Sequence, residues 1–238
     1  MPKPKSQRQK DVISKFSYVN SRFQKLMNEL FTAKKESRDP SNLVHVASEI
    51  LATTRECFDY LGQDIVDSYI VPLTTKSKIK SDYTSGKLRA YFPFHEGQLT
   101  KSNALFHELQ QIAPNLYTDL LDFTKSISNK KKIPKTLFEY ELFLELKDMV
   151  NEKKHDKLIA IASEVDQEYL IENDSTKMII PRKKQKGWKT FTVSPGTEVS
   201  PGSEYRFEFN YREVMKFCLF AHKATEIVIL KLYDDYFE

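Results

Sequence analysis

The chain is predicted to be mainly α, a bundle of antiparallel helices with a small antiparallel β-ribbon ahead of its last helix. Three observations predict this. Long segments carry apolar residues at alternating steps of three and four, the middle of the chain is punctuated by proline and glycine, and a late stretch consists of short β-branched or aromatic runs. With 238 residues, 40% of them hydrophobic, the chain can bury a sizeable core. Residues 1–10 read as a loose, disordered basic tail, and 11–238 as a single helical domain with the ribbon inserted at about 167–210.

Each element follows from local pattern. Val12, Phe16, Val19, Phe23, Leu26 and Leu30 draw one apolar seam along a helix over about 11–35. In "RDPSN", Asp39 can cap and Pro40 can take the first-turn position of the next helix. That helix carries Ala47, Leu51, Thr54, Phe58, Leu61 and Ile65 on one face, so it should pack antiparallel on the first. From Val71 to about Thr100 the helical period is lost, and Pro72, Gly86, Pro93 and Gly97 describe an extended loop anchored by "YFPF" at 91–94. Ser102 starts a short helix through Ala113, Pro114 begins another that ends near Ser128, and a long helix is expected over about 136–163. "EYLIE", "KMIIP", "WKTFTV" and "YRFEFN" supply the ribbon, with Pro-Gly turns in "SPGTEVSPGS". The last helix, about 211–233, is apolar on most sides through Val214, Phe217, Cys218, Ala221, Ile227, Val228 and Leu232. It should be buried in the core or against another copy of the chain.

Composition narrows the function classes. Two distant cysteines, Cys57 and Cys218, form neither a disulfide framework nor a zinc-type cluster. The N-terminus has no apolar signal segment and no run reaches membrane-spanning length, so a cytoplasmic location and no membrane partner are expected. A net charge of +4 is only mildly basic, but the tail, "NKKK" at 129–132 and "PRKKQK" at 181–186 are local clusters that can touch phosphate or remain solvated. Six glycines scattered through the chain offer no phosphate-binding loop, and "HEL" at 107–109 meets Gln111 where a zinc-protease helix needs a second histidine. No metal and no cofactor is indicated. His45 and His95 stand without suitable company, and His222 reads as a core or interface histidine. Trp188 either stacks on a base or anchors the ribbon.

The informative stretch is "VNEKKHDKLIAIA". Asn151 and His155 lie one helical turn apart, in line with Leu144, Leu158 and Ala162, and two polar groups on an inward-leaning stripe need partners. Arg55 and Asp59, in "TRECFDYLG", are the candidates, with Gly62 leaving room for a neighbouring helix. Such a set is either a structural network holding two helices in register or a cationic acid-base centre, in which an arginine holds phosphate and a histidine transfers protons near neutral pH.

Those residues carry a resemblance. "TRECFDYLGQDI", the aromatic-Pro loop "YFPF", the Pro-led "PNLYTDLL" and "NEKKHDKL" occur in the order and approximate spacing seen in a broad set of bacterial proteins of unknown function, and from about residue 42 to 165 the pattern resembles a divergent HEPN-like protein. The resemblance implies an all-helical core and a metal-independent endoribonuclease of the toxin-antitoxin or phage-defence type, commonly dimeric. His155 would serve as general acid or base, Asn151 would orient substrate or imidazole, and Arg55 or Lys154 would stabilise charge on the phosphate, with Asp59 beside them. It implies RNA as substrate and a second copy or an antitoxin as partner. One feature departs from the family: active HEPN ribonucleases carry an arginine separated from the histidine by four to six intervening residues, whereas Asp148, Met149 and Val150 occupy those positions ahead of His155 here. The alternative function is a non-catalytic interaction module or homodimer assembled through the last helix.

Overall fold

The computed structural model describes residues 6–36, 41–102, 104–153, 161–162, 168–173, 176–181, 198–202, 206–207 and 212–237. Helix α1 spans Gln7–Lys35, and all six apolar positions of its seam are buried. It starts earlier than about residue 11 because Ser6 acts as a cap, its Oγ accepting from the Gln9 N–H at 2.9 Å. After a 3₁₀ turn at Ser41–Leu43, α2 runs Val44–Ile65, and its predicted face is likewise buried. The two helices are antiparallel, as the cross-links show: Arg22 pairs with Glu49 at 2.6 Å, Lys15 with Glu56 at 2.8 Å and Arg8 with Asp64 at 3.0 Å.

The start of α1 is fastened rather than loose. Asp64 is buried and accepts from Ser6 Oγ at 2.7 Å, from Arg8 at 3.0 Å and from the Tyr233 hydroxyl at 3.0 Å. Burial, with the charge of Asp64 beside it, pushes the Tyr233 hydroxyl up, so it stays protonated and donates.

The segment read as an extended loop is partly helical. A π turn at Val66–Ile70 joins α2 to α3, Val71–Leu73, and the Val71 N–H bonds the Val66 carbonyl five residues back. Pro72 has no N–H to continue the ordinary ladder, and the wider turn lets the helix pass it. Helices α4, Ser77–Thr84, and α5, Gly97–Thr100, follow. A 3₁₀ turn at Leu105–Glu108 leads into α6, Leu109–Ile112, and α7 occupies Pro114–Ser128, starting at the predicted proline.

Helix α8, Leu142–Lys153, is shorter than expected. Ahead of it the chain turns back on itself, with a bridge between Lys132 and Glu139 and a left-handed Lys135 at φ 62°, neither compatible with a helix from 136. Residues 161–162 are extended, so the helix does not reach 163 either.

The single β-ribbon is corrected. Among the described residues the helical body, 6–153 and 212–237, contains no β-strand, and the pairings between 161 and 207 are two separate pieces. Strands β1, Ile161–Ala162, and β5, Arg206–Phe207, pair with each other. Strands β2, Glu168–Asn173, β3, Thr176–Pro181, and β4, Glu198–Gly202, form another antiparallel set in the order β3-β2-β4. "EVSPG", read as turn, is itself the edge strand β4, where a proline is tolerated. Of "YRFEFN", Arg206–Phe207 pair with β1 and not with β2–β4, and Phe207 is buried against Phe217, ring centroids 5.9 Å apart, which places β5 on the helical core. "WKTFTV" and Trp188 lie outside the described residues.

Helix α9, Val214–Tyr236, is capped by Glu213, whose carboxylate accepts from the Met215 and Lys216 N–H groups at 2.9 and 2.8 Å. It packs on α1 and α2, and of the two alternatives for its apolar face the core of the same chain takes most of it. Phe217 is 2% exposed, while Ile227, at 40%, faces outward. No described helix is long and apolar enough to cross a membrane.

Candidate functional site

The elements singled out in the sequence meet around Phe58. Its ring contacts those of Phe92 and Phe94 from the aromatic-Pro loop at centroid distances of 4.9 and 5.0 Å, and that of Phe143 from α8 at 5.4 Å. The "YFPF" segment is therefore the plug its composition suggested, with Phe92 and Phe94 both buried.

Gly62 has a different neighbour from the expected helix. A Cβ built there would stand 2.9 Å from the Phe92 backbone nitrogen and 3.2 Å from its Cα, so the glycine admits the backbone of the loop. Neither partner is a flexible side chain that can swing away. Gly62→Ala is expected to destabilise the protein by roughly 1–3 kcal/mol by forcing the loop off α2. Thermal unfolding checks this, since helix propensity alone predicts a gain.

Arg55 and Asp59 pair one turn apart on α2, with Arg55 Nη1 2.7 Å from Asp59 Oδ1 and the two side chains 8% and 18% exposed. The guanidinium also lies over the Phe94 ring, 4.8 Å from its centroid, and its Nε–H has no partner among the described residues. The arginine thus ties α2 to the loop and is already neutralised by a neighbour.

Asn151 is half-buried near the end of α8, and α8 packs against α2, so the helices carrying Arg55 and Asn151 do meet. Lys154 and His155 lie outside the described residues, as do residues 182–186 of the second basic cluster. In the first cluster, Lys130 is engaged by Glu141 at 2.8 Å.

A pair that the sequence reading passed over sits beside this junction. Lys147 Nζ, on α8, is 3.0 Å from His95 Nε2 in the turn after the loop, so His95 has company after all. Partial desolvation of the ring first, and the Lys147 charge second, lower the His95 pKa against an opposing contribution from Asp148. The two residues are 52 positions apart. The local signal for the turn was the spacing of Gln98, whose Oε1 accepts from the Phe94 and His95 N–H groups at 2.9 and 3.1 Å.

His107, His222 and the two cysteines have structural settings. His107 Nδ1 contacts the Leu99 carbonyl at 3.0 Å, and His222 Nε2 contacts Asn20 Oδ1 at 3.2 Å inside the α1–α9 packing. Cys57 is free and buried, its thiol pushed up to about 12 by burial, and Cys218 is shifted the same way by the same cause. Among the described residues no group of three His, Cys, Asp or Glu side chains is placed to hold a metal ion. No family model, curated protein or solved structure matches the chain.

Proposed function

We propose that the chain is an RNA-directed protein of the HEPN-like kind, a metal-independent ribonuclease serving as a defence factor or toxin. The supporting observation is convergence. Arg55 lies on Phe94 and Gly62 lies on Phe92, so two separated pieces of the pattern pack together, and Phe58 meets Phe143 on the helix that carries Asn151 about two turns further on. Arg55, buried and paired to Asp59, serves here as a positioning residue that fixes the loop and α8. His155, four residues beyond Asn151, is the acid-base candidate, with Lys154 as a phosphate contact. The reaction is transfer within the RNA strand: a base takes the 2′-hydroxyl proton as the 2′-oxygen attacks phosphorus, and the 5′-oxygen leaves with a proton, giving a 2′,3′-cyclic phosphate.

The alternative reading, association through the last helix, has less to stand on. Phe217 is spent on the core, and only Leu219 and Ile227 of α9 are large apolar side chains at the surface.

Incubation of wild type and His155→Ala with total cellular RNA in the presence of EDTA tests the proposal on a denaturing gel. Discrete cleavage by wild type, lost in His155→Ala at unchanged melting temperature, is the expected result. Intact RNA in both lanes would overturn it.

A further inference from the structure

The contact between Lys147 and His95 is an unusual way to use two basic groups. An ammonium donates to a neutral imidazole at 3.0 Å, which assigns the ring proton to Nδ1 and leaves Nε2 the acceptor. Protonating that ring would set two cations at the same distance. Lys147 Nζ also forms an ion pair with Asp148 Oδ1 at 3.2 Å, and its three N–H donors leave capacity for a further acceptor.

Both residues are held by rigid elements. Gln98 fixes the backbone of Phe94 and His95, Phe94 is buried between Phe58 and Arg55, and Lys147 projects from α8 one helical turn before Asn151. Both are also reachable from solvent, His95 being exposed and the Lys147 side chain 22% exposed. A half-exposed contact of this kind adds little stability, so holding the fold together does not account for it. An anion does. A phosphate oxygen accepting from Lys147 would release Nε2 to accept a proton, and it would remove the penalty on the imidazolium that forms.

We propose that His95 and Lys147 are the phosphodiester-contacting pair of the RNA site, Lys147 binding a non-bridging phosphate oxygen and His95 Nε2 receiving the 2′-hydroxyl proton. The inference rests on the RNA-directed reading above and gives only the removal of the 2′ proton to His95, leaving protonation of the departing oxygen to His155 as in that reading. In the step, the 2′-oxygen to phosphorus bond forms, the phosphorus to 5′-oxygen bond breaks, the 2′ proton goes to His95, and the leaving 5′-oxygen is protonated by the acid of that reading.

The test uses the full chain in EDTA, an all-ribose single-stranded oligonucleotide for cleavage and its 2′-deoxy counterpart, which cannot be cut this way, for binding. Lys147→Gln should weaken binding of the deoxy strand about tenfold at low salt and reduce the slope of log affinity against log salt by about 0.7, the value for one phosphate contact on a single strand. His95→Gln should leave binding within about twofold and slow cleavage by about 100-fold or more. Both variants should melt within about 2 °C of wild type, as surface changes do. Cleavage by wild type that survives in His95→Gln, or a salt slope unchanged in Lys147→Gln, overturns this inference and leaves the ribonuclease reading intact. Binding that responds to Lys147→Gln with no cleavage by wild type supports the lysine contact and overturns the proton transfer. Absence of both binding and cleavage in wild type overturns the RNA reading and this inference together.

Discussion

Phe58→Ala is expected to cost about 4 kcal/mol and to lower the melting temperature by roughly 8–16 °C. Phe58 is fully buried on α2, and its ring meets Phe92, Phe94, Phe123 and Phe143 at centroid distances of 4.9, 5.0, 6.2 and 5.4 Å. Those partners come from the loop, from α7 and from α8, so truncation opens a cavity where three segments rely on one side chain. The lining cannot collapse easily, because the partner rings also contact one another: Phe92 and Phe94 each pack on Phe123, at 5.5 and 6.2 Å. Phe58→Leu keeps most of the volume and should lose about 1–1.5 kcal/mol, and chemical denaturation of the pair reads the difference. A ratio near one between the two variants would mean that the ring cluster is not what holds the loop.

The seams of α1 and α2 were legible because burial on one face of a long helix forces a three-four spacing, and each predicted position is buried. Helix α7 was legible for another reason, a proline at its start and a polar run after its end. The π turn was not, since Pro72 signals an interruption without saying that the helix resumes across it. Nor was the separation of the strands. Whether Phe207 joins a ribbon or the helical core depends on Phe217 in the next helix and on Ile161 far back in the chain, which alternation along one segment cannot reveal. The candidate site divides in the same way. Arg55 and Asp59 follow from a one-turn spacing, whereas the meeting of His95 with Lys147 depends on where the loop lands on α8.

The Arg55–Asp59 pair gives the second large effect, and its asymmetry separates bracing from phosphate binding. Asp59→Ala leaves a guanidinium that cannot lose its proton in a position only 8% exposed, with its Nε–H already lacking a partner. Stranding that charge should cost about 3–4 kcal/mol. Arg55→Met removes the charge, keeps an unbranched apolar side chain beside the Phe94 ring, and leaves a carboxylate that is 18% exposed and can be hydrated. Its cost should be about 1 kcal/mol, and the double variant should lie closer to Arg55→Met than to the sum of the single changes. Denaturant titration of the four proteins measures the cycle. If Arg55 is a brace, RNA binding by Arg55→Met falls only as far as its folded fraction falls. If instead the guanidinium leaves Asp59 to meet phosphate, Asp59→Ala frees it and should tighten binding while weakening the fold. An RNA affinity that rises in Asp59→Ala and collapses in fully folded Arg55→Met would therefore move Arg55 from the frame of the site into its contact surface.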